Sequence, residues 1–199
     1  MKKKIVKKAE ELFLTLGFKS ITMDDIANAM GISKKTIYTH FNNKLELVEN
    51  VTAYKFDLIR RGIALIHEQQ QNPITELFEI KKLVMKHLKD EKSSPQYQLQ
   101  KYYPKIFKNL KRKQFELIYQ LIKENLIKGI QLDLYRKPID VDFTTRIYFH
   151  GMMGIKDRDL FPLLNYSMNT ITIHHLEYHL RAICSSKGVK ELEKQLVNL

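Results

Sequence analysis

One cysteine, seven glycines and five prolines are all that this 199-residue chain has of the residues that staple or punctuate a fold. The lone Cys184 excludes an intrachain disulfide framework and a four-thiolate zinc site, and it suits a reducing compartment. Long apolar runs are missing too: none approaches the ~20 residues needed to span a bilayer. Met1-Lys2-Lys3-Lys4 is basic like the start of a signal peptide, but Lys7, Lys8, Glu10 and Glu11 interrupt what should be its apolar stretch. The expectation is a cytoplasmic protein with no membrane partner. Enzyme signatures are also absent, with no phosphate-binding glycine loop, no Gly-x-Ser-x-Gly elbow and no dinucleotide fingerprint. No strand pattern is present on which a parallel-sheet cofactor fold could be built. Neither an enzyme nor a cofactor is expected.

Hydrophobic residues make up 44% of the chain, enough for a core and too many for wholesale disorder. Acidic residues are outnumbered, with 22 Asp and Glu against 34 Lys and Arg and a formal charge of +12. Such a balance selects acidic partners, nucleic acid first. Residues 1–61 carry 12 basic and 7 acidic side chains, however, and residues 62–199 carry 22 and 15. The basicity is spread, so the case for DNA must rest on motifs.

The scarcity of glycine and proline leaves long helical periodicities, and the fold class is all-α. Ile5, Ala9, Leu12, Phe13 and Leu16 mark one buried stripe of a first helix over 4–16, with Gly17 as its left-handed terminator. Thr22 and Asp25 form a capping box for a second helix ending at Gly31. Ser33 opens a third helix to about residue 41, and Asn43 with Glu46 caps a fourth over 44–71. Asn72-Pro73 begins a fifth. Residues 90–95 read as a loop, and helices follow near 96–103 and 105–130. Residues 131–138 are expected to be irregular, and Asp140 caps a helix to about 155. A last long helix spans 164–184, with an amphipathic tail at 190–197.

Residues 22–44 have the pattern of a helix-turn-helix. Ala27 is small where two helices cross, and Gly31 supplies the positive φ of the tight turn. Ile26, Ile32 and Ile37 form the apolar junction, and Ser33 caps the second helix. The first turn of that helix enters the major groove in such motifs. Lys34, Lys35 and Thr36 are therefore placed to reach base edges, each good contact discriminating by ~1–3 kcal/mol. Thr22, Tyr38, His40 and Lys44 suit phosphate oxygens, with Thr39 in the same DNA-facing set. The helix start at Met23 offers backbone N–H groups to a phosphate. The plain alternative is a helical hairpin with a solvated basic face.

Residues 5–48 resemble the DNA-binding domain of the TetR family of bacterial transcriptional regulators. The resemblance rests on Ala9, Leu12-Phe13, Gly17-Phe18, Thr22, Ile26-Ala27, Gly31-Ile32-Ser33, Ile37-Tyr38, His40-Phe41, Lys44 and Leu47. Residues 38–44 are the most specific part. The resemblance implies that Tyr38, His40 and Lys44 contact phosphates and that the three residues after Ser33 read bases. It also implies a homodimer on a near-palindromic double-stranded operator, released by an unidentified small-molecule effector. One departure is Lys34-Lys35, where the family commonly has a small residue at the second position; this leaves the operator sequence open.

On this reading residues 1–47 form a three-helix DNA-binding domain, and 48–199 form a larger helical bundle for effector binding and dimerisation. The resemblance assigns the dimer interface to the helices near 140–155 and 164–184. Phe143, Ile147, Tyr148, Gly151 and Met152 share a face of the first; Met168, Ile171, His175, Tyr178 and Ala182 follow 3–4 spacing on the second. Effector contacts are expected among Phe78, Met85, Tyr102, Tyr103, Phe107, Phe115, Tyr119 and Met152, whose thioethers and aromatic rings suit a roomy apolar pocket. Ordinary core packing accounts for the same residues.

Two further features stay open. Residues 101–113 hold six basic residues and no acid, a solvated amphipathic face or a second anion-binding surface. His175 and His179 lie one turn apart, as zinc ligands can, or simply pack together; no metal is expected. The chain thus reads as a sequence-specific DNA-binding transcriptional regulator; a repressor is expected, an activator or a sequence-tolerant architectural protein without effector being the alternative. A lipid- or protein-binding module and an enzyme follow.

Overall fold

The computed structural model describes residues 1–88, 95–157, 159–162 and 164–197. Ten helices follow one another among them: α1 Lys2–Leu16, α2 Met23–Met30, α3 Lys34–Tyr38, α4 Lys44–Glu68, α5 Pro73–Leu88, α6 Pro95–Tyr102, α7 Pro104–Gln131, α8 Val141–Gly154, α9 Met168–Ile183 and α10 Ser186–Val197. The only extended pairing among the described residues is an isolated bridge between Tyr135 and Cys184. The fold is all-α, as expected. The loop predicted at 90–95 lies outside the described residues except for Pro95, which opens α6.

The chain divides into two compact units. The first comprises Met1–Arg61 with His87–Gln114, the second Gly62–Lys86 with Phe115–Leu199. In the first unit α1 buries Ile5, Val6, Ala9 and Phe13, but Leu16 at the end of the predicted stripe stays exposed. Gly17 ends α1 at φ 92 and ψ 152, a positive-φ extended conformation rather than the left-handed helical one expected. Phe18, Ile26, Ile37, Phe41 and Leu47 complete a core that also takes in Leu99 of α6 and Ile106 of α7. Each large side chain buried there contributes about 1.5–3 kcal/mol relative to exposure.

The second unit is built on Ile74, Leu77, Phe78, Ile122, Leu126, Leu176, Leu180 and neighbours. A polar chain runs through this apolar core. Tyr135 donates its hydroxyl to Asn125 Oδ1 at 2.9 Å; Asn125 donates to Glu76 Oε2 at 2.7 Å and to the Pro73 carbonyl at 2.8 Å. His67 Nδ1 lies 2.8 Å from the other Glu76 oxygen. Because buried polar atoms are costly unless paired, these bonds are what permit Glu76, Asn125 and Tyr135 to be almost fully buried.

Several helix ends differ from the periodicity, each for a local reason. α4 stops at Glu68, because Gln70 adopts φ 51 and the Lys128 ammonium holds the following turn through the Gln71 carbonyl. α9 begins at Met168, four residues late, since the Ser167 hydroxyl accepts from Thr170 N–H and caps it there. α10 begins at Ser186 rather than 190, with Ser185 Oγ accepting from Gly188 N–H.

Candidate nucleic-acid interface

The reading head is set by caps and a glycine. Thr22 Oγ1 accepts from Asp25 N–H at 3.1 Å and Asp25 Oδ2 accepts from Thr22 N–H at 2.8 Å, closing the capping box of α2. These bonds to Thr22, the backbone one first, hold the Asp25 carboxyl below its ordinary range. Gly31 ends α2 at φ 64 and ψ 33, the left-handed region that costs a residue with a Cβ. Ser33 Oγ then accepts from Thr36 N–H at 3.1 Å and starts α3. Ile26, Ala27 and Ile37 are buried at the junction, with Ile32 packed against it.

That packing turns the polar side of α3 outward. Ser33, Lys34, Lys35, Tyr38 and Thr39 are exposed, and Thr36 and His40 are half-buried. Thr22 is exposed, whereas Met23 is buried in the core, so only its backbone is available to a ligand. The α2 start presents more than N–H groups, since Asp24 and Asp25 both lie in its first turn. Two carboxylates there oppose a phosphate. Asp24 is itself paired, its Oδ2 2.8 Å from Lys34 Nζ. The bond to Asp24 raises the Lys34 pKa, and the ammonium also lies 5.9 Å from the Tyr38 ring centroid.

Lys44 opens α4 and is half-buried. Its ammonium donates to the Lys19 carbonyl at 3.3 Å and sits 5.9 Å from the Phe13 ring centroid. Burial pushes its pKa down while the Asp25 charge pulls it up. Glu46 N–H donates to Asn43 Oδ1 at 2.9 Å, and Glu46 Oε2 accepts from Asn42 rather than Asn43 N–H, a cap pair shifted by one residue. Sequence reasoning missed Asp24 and Lys19, because neither stands at a helical spacing from the residue it meets.

The effector candidates are scattered. Tyr103 and Phe107 pack on the core of the first unit, where Tyr102 is exposed. Phe78 is fully buried in the second-unit core. Phe115 and Tyr119 lie together in the second unit, ring centroids 5.5 Å apart, beneath the Arg146 guanidinium. Met85 and Met152 are half-buried there. A cavity of 210 Å³ in the first unit is lined instead by Glu49, Thr52, Phe56, Ile106, Leu110 and Lys113, among others. It is smaller than the ~300–1,000 Å³ of usual small-molecule sites.

Of the dimer candidates, Phe143, Ile147 and Tyr178 are exposed, at 62%, 49% and 78%. Ile171 is buried, and Gly151, Met168 and His175 are half-buried. Gly151 lies against the His175 ring, where a Cβ would collide with Nε2. His175 and His179 both pack on Tyr148, ring centroids 5.2 and 4.6 Å away. Among the described residues no group of three or more His, Cys, Asp or Glu side chains is arranged to hold a metal. No helix among them is long and apolar enough to cross a membrane.

These features define a helix-turn-helix unit. Residues 5–51 match the family model for bacterial regulatory proteins of the tetR family. A biofilm operon icaADBC negative transcriptional regulator, IcaR of Staphylococcus aureus (strain Newman), is 32% identical over 79 residues, which are 40% of this chain and 42% of that protein. The matched stretch thus spans well under half of the curated relative. Over longer spans the likeness is one of fold. A tetR-family regulator from Agrobacterium tumefaciens superposes with a TM-score of 0.74 at 17% identity, covering 92% of this chain and 97% of the other. SmeT, the repressor of the Stenotrophomonas maltophilia efflux pump SmeDEF, gives 0.66 at 15% identity over 94% and 91%.

Proposed function

We propose that this protein is a sequence-specific DNA-binding transcriptional regulator, a repressor that binds a near-palindromic operator as a homodimer and is released by a small molecule. The observation that carries the reading is α3 itself. The left-handed Gly31 and the buried Ile26–Ala27–Ile37 junction fix it against α2 and leave Lys34, Lys35 and Thr36 on its free first turns. In this role those three meet base edges, and Thr22, Tyr38, His40 and Lys44 meet phosphates, with Ser33, Thr39 and the Met23 amide alongside.

Two likenesses support the regulatory part. IcaR is named a negative transcriptional regulator, and SmeT, a repressor, has also been captured in complex with triclosan. On this reading residues 1–47 read DNA, and 48–199 bind effector and dimerise. Support for dimerisation comes from the apolar side chains that α8 and α9 leave in water, Phe143, Ile147 and Tyr178. Gly151, Met168, Ile171 and His175 complete that seam. The effector acts by population shift, favouring a dimer whose recognition helices no longer match successive major grooves. Operator and effector must then weaken each other by the same factor.

A gel shift of the full chain on its own upstream DNA tests the reading. Retention of the complex against a large excess of unrelated duplex is expected. Equal displacement by the unrelated duplex favours the sequence-tolerant alternative instead.

A further inference from the structure

α6 and the start of α7 belong to the same compact unit as the helix-turn-helix, although more than fifty residues of sequence separate them from α3. Leu99 is buried in the shared core. Next to it, Gln98 Oε1 accepts from Lys19 N–H at 3.1 Å. Gly17 makes room for this contact: at φ +92 it has no Cβ, and one built there would collide with the Gln98 amide. α6 is thus fixed against the loop between α1 and α2, and its outer side chains have a defined place in the reading unit.

Those side chains continue the basic surface that begins at Lys44. The Lys44 ammonium bonds the Lys19 carbonyl, and the Lys19 ammonium lies 5.2 Å from the Tyr102 ring centroid. Lys101 lies 5.7 Å from the same ring and 5.5 Å from the Tyr97 ring, with its Nζ 3.4 Å from the Tyr97 hydroxyl. Cations within ~6 Å of an aromatic centroid are held by the ring while remaining charged. Lys19, Lys101, Tyr97 and Tyr102 are all exposed. Neither Lys19 nor Lys101 has a carboxylate partner among the described residues, in contrast to Lys34 with Asp24. No acidic residue occurs anywhere from 95 to 115.

We infer that the Lys19–Tyr102–Lys101 ridge is an accessory DNA-backbone contact, extending the protein's footprint to phosphates beyond those met by α3 and the start of α4. This rests on the DNA-binding reading above. Its partner is the sugar–phosphate backbone of duplex DNA. Two uncompensated ammoniums on a fixed platform match it by charge, and the ridge is continuous with Lys44. The ridge carries no sequence information, because phosphates are alike at every base pair. It adds affinity through counterion release, each neutralised phosphate contributing about 0.9 to the slope of log K against log salt.

The test uses the full chain and a 40-base-pair duplex of mixed sequence, with binding followed by fluorescence anisotropy from ~50 to ~200 mM salt, the range over which such contacts are read. The Lys19→Gln/Lys101→Gln variant is expected to lower the slope by about 2 per protomer. Lys19→Arg/Lys101→Arg should keep it. Lys82→Gln/Lys190→Gln, with the same change in net charge, should alter it by less than one. An unchanged slope in the first variant, with wild-type binding intact and Lys44→Ala weakened, overturns the ridge and leaves the helix-turn-helix reading standing. Absence of salt-sensitive binding by the wild type overturns both. If the lysine-to-glutamine pair leaves duplex binding unchanged but abolishes salt-sensitive binding to phosphatidylglycerol-containing vesicles, the ridge is a membrane contact and the inference fails.

Discussion

Lys34, the first residue of α3, is tied at 2.8 Å to Asp24 in the first turn of α2. The two are ten residues apart and both are about half exposed. In the proposed DNA-binding role the pair is a built-in competitor: the Asp24 carboxylate occupies the ammonium that a base or phosphate would otherwise meet, and would add negative charge beside the backbone.

Asp24→Asn should therefore tighten duplex binding. It frees Lys34 and removes a like charge from the phosphate-facing surface, so the salt dependence should steepen by about one contact's worth. Anisotropy titrations at several salt concentrations measure both effects. Weaker binding by this variant would show that Asp24 positions Lys34 productively rather than competing for it.

Base readers and backbone contacts should separate cleanly. Tyr38→Phe and Lys44→Ala are expected to weaken binding to all sequences alike, and the Lys44 change should flatten the salt slope by about 0.9. Lys35→Ala should instead alter which operator bases are preferred, with ~1–3 kcal/mol of discrimination lost at one position. A panel of single-base operator variants reads the difference. Uniform weakening by Lys35→Ala would remove it from the base-reading set.

The polar chain inside the second unit gives a stability prediction. Tyr135→Phe deletes the hydroxyl that donates to Asn125 Oδ1 and leaves that buried oxygen without the donor. The expected loss is about 1–3 kcal/mol, measured as a lower denaturant midpoint at unchanged slope. A variant as stable as the wild type would mean that the Asn125 amide finds another partner.

His179 makes stability depend on pH. Burial first, and the neighbouring His175 second, lower its pKa from 6.5 to about 4. It packs against Tyr148, and its Nε2 has no hydrogen-bond partner among the described residues. A depressed folded-state pKa means that the unfolded chain takes up the proton first as pH falls. The stability linked to neutral His179 is thus fully present above about 6.5 and is lost as pH falls toward about 4, amounting to roughly 3 kcal/mol. Denaturant melts at pH 7 and pH 5 should differ by about 2 kcal/mol of this, and His179→Leu should shrink the difference. A pH dependence that this substitution leaves intact would assign it to other groups.

What could be read in the sequence was local. Thr22 with Asp25, Ser33, Gly31 and Asp140 act within four residues of their own position, so caps and turn were predictable from spacing. The helix-turn-helix is legible because its chemistry is contained in 23 consecutive residues. The fixing of α6 was not legible, since Gln98 and Lys19 are 79 positions apart and neither is marked by periodicity. The buried chain of Glu76, Asn125 and Tyr135 is similar: three polar residues that look solvated in sequence are buried because they satisfy one another. Leu16 shows the opposite error, an apolar residue on the right stripe that the chain leaves exposed at the helix end.

The central claim is that α3 reads sequence from a symmetric dimer. Hydroxyl-radical footprinting of the full chain on its own upstream DNA tests it most directly. The prediction is a discrete site with two related halves whose centres lie ~34–36 Å, about one helical turn, or a multiple of that apart, and its loss with Lys34→Ala/Lys35→Ala. Uniform protection along the fragment, or a discrete footprint unchanged by that variant, would contradict it.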